Sequence, residues 1–435
     1  MRIHFAGKLF FTLCLLTITT CLISAAPSKK APEFPEGFPE ELRKAKFLKK
    51  ESRILAPGVT YYHYHFDSVL PKGVSPFYRV QYIFTNANGK TAIQRGKALP
   101  EAEAKAQDEA ARKKIGEAYK ELKGSAFVSI AKRYSDAPGA KREKPQISFD
   151  TMISEKAEFC SDEIKKAVLK LKETGDYTKP VKGKLGGMEG YFILRLQKLV
   201  KKMPASIYYV IVDWDQAKVK FKLRQCGKRL KTVADMVEDE RGLIAAVNGA
   251  YFTWRGPATF YPFKEDGQLF DATGYDSKTG FCFNEGEFPV LDVEGDDKYG
   301  KYANVIVGYH IMKNGKYTLD SKPRDHWATI AAGTTPHTAL GLNPETKRVV
   351  MFVCDGRFPE DAPGFHFYGE YYFLKIAGCT EGLSIDGGGS TTMLVAKEGK
   401  DPVNHPSDNR KFDHKGARAV WNWTSSITST PPAAA

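Results

Sequence analysis

The sequence predicts a mixed α/β core interrupted by a second, basic α+β domain. Residues 347–354 read as a buried strand ending at Asp355-Gly356-Arg357, residues 368–376 as a helix, and residues 382–385 as a second strand delivering Asp386. Residues 218–223 alternate, with Val219, Phe221 and Leu223 on one face and Lys218, Lys220 and Lys222 on the other, as a half-buried strand should. Between residues 75 and 203 lie 27 Lys/Arg and 16 Asp/Glu, so most of the formal net charge of +14 belongs to one segment. If the two strands around the helix are parallel neighbours, Asp355 and Asp386 sit at the same sheet edge, where open α/β sheets place ligands.

The elements follow in chain order. Arg2 and Lys8, an apolar run over residues 9–23 and Ser24-Ala25-Ala26 read as a secretory signal over residues 1–26. The run is too short for a membrane span, so the expectation is a secreted or periplasmic, not membrane-spanning, protein. Residues 27–50, rich in Pro, Lys and Glu, read as a mobile linker, and residues 426–435 as a disordered tail. Five cysteines follow the signal, at 160, 226, 282, 354 and 379, an odd number that leaves at least one thiol unpaired. Cys354 and Cys379 are the disulfide candidate, and buried free thiols the expected state of most.

The segment 75–203 contains a long helix: Pro100 starts it, Ala111, Ile115, Ala118, Tyr119 and Leu122 form one face, and Gly124 stops it. Gly124-Ser125-Ala126-Phe127-Val128-Ser129-Ile130-Ala131-Lys132-Arg133-Tyr134-Ser135, residues 164–172, Gly175-Asp176-Tyr177-Thr178-Lys179-Pro180-Val181 and residues 190–196 follow. Together they resemble the parvulin (PpiC-type) peptidyl-prolyl isomerase family. That resemblance implies an α+β domain and a proline-containing peptide as ligand. Tyr82 and Phe192 stand where the family usually has histidines, Asp136 falls near its Cys or Asp position, Ile164 replaces a pocket phenylalanine, and Met152 matches a pocket methionine. A binding-only domain is expected. Residues 55–62 resemble the opening strand of a second family, whose further motifs follow below, and that resemblance implies a direct continuation into residues 207–213, so the basic segment reads as an insertion into the fold around it.

The most informative motif is Ile385-Asp386-Gly387-Gly388-Gly389-Ser390-Thr391-Thr392: a carboxylate at a strand tip, then glycines that let the backbone fold where a side chain would clash. Five further patches accompany it: Ala246-Val247-Asn248-Gly249-Ala250-Tyr251-Phe252, Thr338-Ala339-Leu340-Gly341-Leu342, Val353-Cys354-Asp355-Gly356-Arg357, Val403-Asn404-His405-Pro406-Ser407-Asp408 and Ala417-Arg418-Ala419-Val420-Trp421-Asn422. In this order they resemble the phosphodiester glycosidase family, over residues 51–74 and 204–425.

The resemblance implies an exported hydrolase that cleaves a sugar-1-phosphodiester, N-acetylglucosamine-1-phosphodiester-like, in a glycan or anionic envelope polymer. Such chemistry must stabilise an oxocarbenium-like carbon and hold an anionic leaving group. Asp386 and Asp355 are the candidate catalytic carboxylates. Arg357 and Arg418 are the phosphate candidates, because a guanidinium fork matches phosphate oxygens, with the Gly387, Gly388, Gly389, Ser390 and Thr391 backbone beside them. Asn248 and Asn404 are expected to place sugar hydroxyls. Gly249 belongs to the same patch, although Asn-Gly also suits a plain tight turn, and Asp355 could equally pair with Arg357. His337 stands where the family usually has arginine.

No cofactor is expected and no metal site has ligand spacing, although Asp355 and Asp386 could share a cation if they converge. The alternatives are an isomerase or chaperone whose glycosidase-like part is a carbohydrate anchor, and a non-catalytic binder of anionic polymers. Nucleic acid is excluded as a partner because the lysines are scattered without aromatic interleaving.

Overall fold

The computed structural model describes residues 31–70, 76–87, 100–137, 150–225, 231–252, 261–270, 279–293, 299–319, 335–407 and 423–429, apart from positions 125, 156, 158, 359, 397, 398 and 400. The expected signal segment and Arg418 lie outside these residues.

The chain opens with helix α1 (Glu40–Arg43) and the hairpin β1 (Phe47–Ala56) and β2 (Val59–Phe66), turned at Pro57-Gly58. Gly58 has φ +68, and a Cβ there would come within 2.7–2.9 Å of backbone atoms of residues 213–217. A second unit follows: β3 (Phe77–Asn86), α2 (Glu101–Leu122), α3 (Phe127–Tyr134), β4 (Asp150–Ile153), α4 (Asp162–Val168), β5 (Val181–Leu185) and β6 (Met188–Val200). Its four antiparallel strands run in the order β4-β3-β6-β5. Ile83 and Ile193 face α2 and α3, whereas Tyr82, Phe84, Phe192 and Leu194 pack against α4 on the opposite face.

The remaining elements are β7 (Ala205–Asp213), β8 (Val219–Gln225), α5 (Val233–Met236), β9 (Leu243–Asn248), β10 (Phe263–Glu265), β11 (Gln268–Phe270), β12 (Thr279–Phe283), β13 (Val290–Val293), β14 (Asn304–Lys313), β15 (Lys316–Tyr317), β16 (His337–Asn343), β17 (Arg348–Cys354), α6 (Phe367–Ile376), β18 (Glu381–Ser384), β19 (Met393–Val395) and β20 (Trp423–Ser429). The main sheet has the order β1-β2-β7-β17-β16-β18-β14-β10-β11, and a smaller one β19-β9-β20-β8. Although β2 and β7 are separated in sequence by the basic unit, they pair directly, Phe66 opposite Ala205, and the amide of Val69 donates to Met203 O at 2.9 Å. The basic unit therefore leaves and re-enters the main sheet at one point.

The central strands are apolar throughout because both faces are covered. Along β17, Val349, Met351 and Val353 enter a core shared with β8, β9 and β19, while Val350, Phe352 and Cys354 enter a core shared with α6. On β7, Tyr208, Val210 and Val212 alternate with Ile207, Tyr209 and Ile211 in the same way.

Several expectations change. β17 and β18 do run in one direction, but β16 lies between them, antiparallel to both, so Asp355 and Asp386 share an edge without being on neighbouring strands. The described part of the expected linker packs instead of swinging free, because Phe38 and Leu42 are buried in the core beneath α6 and β1 is a paired strand. The expected tail begins inside β20, which pairs with β8 and β9 to Ser429. Cys354 and Cys379 are not bridged: both are free and buried, as are Cys160 and Cys282. Burial pushes the Cys160 thiol up to about 11 and, with the Asp292 carboxylate adding to it, the Cys282 thiol up to about 12. Cys226 lies outside the described residues.

Candidate functional site

Four chain segments meet at the edge where β17 and β18 end, β16 begins and β9 ends. The β9 terminus anchors the Asp386 loop. The Asp386 amide donates to Gly249 O at 2.9 Å, the Asn248 Nδ2 donates to Asp386 O at 2.6 Å, and the Gly387 amide donates to Asp386 Oδ1 at 3.0 Å. From the other side the Gly388 amide donates to Pro336 O at 2.8 Å. A Cβ on Gly387 would lie 2.8 Å from that same carbonyl, and Gly388 holds φ +64. Glycine at both positions is what lets the loop settle against the start of β16.

A cavity of about 370 Å³ opens here, lined by Asp386, Gly387, Gly388, Arg357 and His337, together with Tyr251, Thr335, Phe365, His366 and Phe367. Arg357 reaches it from an unusual backbone: its φ is +64, its amide donates to Pro363 O at 2.9 Å, and its Nη1 donates to Ser407 Oγ at 3.4 Å. Its guanidinium lies over Gly388, where a Cβ would be 2.8 Å from Nη2.

His337 forms the inner wall. Its Nε2 is 3.0 Å from Phe365 O and its Nδ1 is paired with the fully buried Glu370 of α6. A carbonyl can only accept, so Nε2 carries a proton, and the Nδ1–carboxylate contact needs a second. His366 caps α6, its Nδ1 accepting from the Tyr368 amide at 3.4 Å, and burial and then His337 push its imidazole below the usual range. It is accordingly a neutral ring with its proton on Nε2. The positive end of the α6 dipole adds to this side. Tyr251 is the opposite case: burial first, then the carboxylates of Glu370 and Asp386, push its phenol well above its usual value, so it remains an O–H donor.

Residues 241–423 match the model of the phosphodiester glycosidase family. Over these 183 of its 435 residues the chain is similar to phosphodiester glycosidases. Residues 97–198 match the PPIC-type peptidyl-prolyl isomerase domain. Similar solved structures include the catalytic domain of zebrafish N-acetylglucosamine-1-phosphodiester alpha-N-acetylglucosaminidase, auto-inhibited by its pro-peptide, at 17% identity over 53% of this chain and 79% of that one, TM-score 0.42. A hypothetical protein from Synechocystis is 9% identical over 55% and 66%, TM-score 0.36. A putative exported protein from Burkholderia pseudomallei K96243 is 13% identical over 93% and 99%, TM-score 0.42. No curated protein matches the chain.

Within this glycosidase-like stretch, Asp386, Arg357, His337, Gly387 and Gly388 come together, and the other expected residues take different places. Asp355 is buried and does not line the cavity. Its Oδ1 accepts from the His405 amide at 2.7 Å and Asn404 Nδ2 at 3.3 Å, its Oδ2 from Tyr208 Oη at 2.9 Å and His405 Nδ1 at 2.7 Å. Four donors fill the four acceptor positions of a carboxylate, so it has none left for substrate or a cation shared with Asp386. Nor does it form the turn with Arg357 that its spacing allows.

The asparagines brace the loop instead of meeting a sugar. Asn248 Oδ1 accepts from Thr338 Oγ1 at 2.6 Å and the Thr392 amide at 3.0 Å. Asn404 Oδ1 accepts from the Met393 amide at 2.7 Å while its Nδ2 also donates to Thr391 O at 3.0 Å. Ser390 and Thr391 are buried away from the cavity, and their amides donate to Gly387 O and Gly388 O. Gly249 contributes its carbonyl to Asp386. Gly389, half-buried, is not among the lining residues. His337 has both ring nitrogens engaged, so it positions Phe365 and Glu370. Among the described residues no group of three or more His, Cys, Asp or Glu side chains is placed to hold a metal, and no helix is long and apolar enough to cross a membrane.

Glu370 and the Phe365-His366-Phe367 run were not anticipated. A lone carboxylate inside the otherwise apolar Phe-Tyr-Gly-Glu-Tyr-Tyr-Phe-Leu helix was the available signal.

In the PpiC-type domain the positions expected to bear histidines are part of a packed aromatic cluster. Phe192 is fully buried, with its ring 4.8 Å from Phe84 and 6.2 Å from Tyr82. Asp136 is paired with Lys114 at 2.5 Å and accepts from the Asn86 amide at 3.1 Å. Met152 is no pocket residue: it and Phe77 join the glycosidase core beneath α6. The full-length protein is expected not to accelerate isomerisation of a proline tetrapeptide in a protease-coupled assay. Robust acceleration would show that this packed face opens to ligand.

Proposed function

We propose that this is an exported hydrolase that cleaves a sugar-1-phosphodiester, N-acetylglucosamine-1-phosphodiester-like, in a glycan or envelope polymer. In this reading the glycosidase domain is discontinuous, over residues 51–74 and 204–425, and the PpiC-type insert serves binding. The observation that carries it is the placement of Asp386 and Arg357 in one cavity, with only glycine between them. A phosphate can approach the guanidinium there without meeting a side chain, and the α6 amino end and neutral His366 favour the same anion.

The anomeric carbon then faces Asp386. As the oxygen of water bonds to that carbon, the bond from the carbon to its phosphate oxygen breaks. The phosphate monoester departs with the bonding pair, held by Arg357, and the proton lost by the water passes to Asp386 and from there to solvent. Asp386 stabilises the positive charge developing at carbon and orients the water. Among the described lining residues Asp386 is the one carboxylate open to the cavity. A phosphate leaving group is a weak base and departs without a strong acid, so a single carboxylate open to the cavity suffices where ordinary glycosidases use two.

Arg357→Lys keeps charge but loses the fork. It should lower kcat/KM on a sugar-1-phosphodiester by about 100-fold while changing a neutral aryl glycoside less than about 3-fold. Equal losses on both substrates would remove Arg357 from the phosphate and with it the proposed reaction class.

A further inference from the structure

The cavity has two unlike walls. Arg357 and the glycines form one; the other is a continuous aromatic surface. Tyr251 stands edge-on to Tyr261, at 5.5 Å and 78°, and to Tyr309, at 5.6 Å and 80°. Tyr309 contacts Phe367 at 5.4 Å, and Phe367 contacts the His337 ring at 5.3 Å. Of these, Tyr251, Phe367 and His337 face the cavity itself. Such a surface suits the apolar face of a pyranose ring better than it suits an anion.

Tyr251 is also tied to the reacting centre through the backbone. It follows the Asn248-Gly249 pair, which holds both the amide and the carbonyl of Asp386. The two loops that carry Asp386 and Tyr251 are therefore held together through the Asp386 backbone. Its charged neighbours are Glu370 and Asp386, and in their company the phenol keeps its hydrogen. The Ser384 hydroxyl hydrogen-bonds to the phenol oxygen, and of the two carboxylates only Asp386 lines the cavity, so the hydrogen of the phenol is available to a neutral oxygen on the sugar.

The geometry points to Tyr251 as the residue that reads the substituent on the carbon next to the anomeric centre, by donating its phenolic hydrogen to an oxygen of that substituent. The assignment rests on the proposed reaction. With the phosphate at Arg357 and the anomeric carbon at Asp386, the adjacent ring carbon is the one brought to the aromatic wall. A hydroxyl or acylamido group there accepts the hydrogen bond; a ring with hydrogen at that carbon leaves a buried donor unsatisfied and is rejected.

The test is a cycle of one substitution and one substrate change, using the full-length protein. Two sugar-1-phosphodiesters with the same aglycone are compared, one oxygenated at the carbon next to the anomeric centre and one deoxy there. Tyr251→Phe keeps the ring and its packing. It should lower kcat/KM on the oxygenated substrate by about 30-fold and on the deoxy substrate by less than about 3-fold. Circular dichroism and Tm should match the parent, so that loss of folded protein, which lowers both substrates together, is recognised. Equal losses on both substrates would overturn the assignment. If the parent protein turns over neither substrate, the proposed reaction itself fails and this assignment with it, an outcome distinct from equal losses.

Discussion

Replacing Asp386 by asparagine is expected to reduce kcat on a sugar-1-phosphodiester by about 10³-fold or more while leaving Tm unchanged. The amide keeps the shape of the carboxylate, and its oxygen can still accept the hydrogen bond from the Gly387 amide, so the loop need not rearrange. The backbone contacts to Asn248 and Gly249 do not involve the side chain at all. What disappears is the negative charge facing the developing positive carbon, a loss on the order of 4 kcal/mol of transition-state stabilisation. Steady-state rates on matched parent and variant, with thermal melts of both, decide it. Turnover within a few-fold of the parent would remove Asp386 from the chemistry; a large drop in Tm would show that it is structural.

Asp355→Ala should behave in the reverse order, as a stability defect that carries activity down with it. The carboxylate terminates a buried polar chain. Ser206 Oγ donates to Tyr208 Oη at 2.9 Å, Tyr208 Oη donates to Asp355, and His63 Nε2 lies 3.1 Å from Ser206. Truncation leaves the Tyr208 hydroxyl, both His405 nitrogens and an Asn404 proton facing a void. Removing one partner of such a buried charged network costs about 3–5 kcal/mol, which for a domain of this size lowers Tm by roughly 10 °C. A variant that melts like the parent yet is inactive would restore Asp355 to a catalytic role. The distinction is measurable because the two aspartates sit at the same sheet edge, one open and one sealed.

The difference between them was not legible in the sequence, and the reason is physical. Asp386 precedes three glycines, and local sterics alone announce that the backbone there is doing something a side chain would forbid. Asp355 precedes a single glycine in a similar strand-end context, and its burial is decided by Tyr208 and His405, which are remote in sequence and arrive only through strand pairing. Asn248 and Asn404 were misread for the same cause, since a surface-type residue becomes a brace only when distant backbone amides meet it. The β17–α6–β18 run was readable because its hydrophobic periods are local. The intervention of β16 between the two strands was not, as strand order is set by long-range pairing. The PpiC-type segment was legible from its resemblance over residues 124–196, with its charge marking its extent, whereas Met152 changed roles because it faces the host core and not its own sheet.

Arg357 has a backbone consequence that bears on the whole molecule. At φ +64 it occupies the left-handed region, where a side chain costs about 1 kcal/mol and glycine almost nothing. Glycine at this position should therefore relax the fold and raise the denaturation midpoint, while deleting the group proposed to hold the leaving phosphate. Folding and turnover are thus opposed at one residue. A screen for thermal robustness alone would drift toward inactive protein here, and a screen for activity would keep the strained arginine.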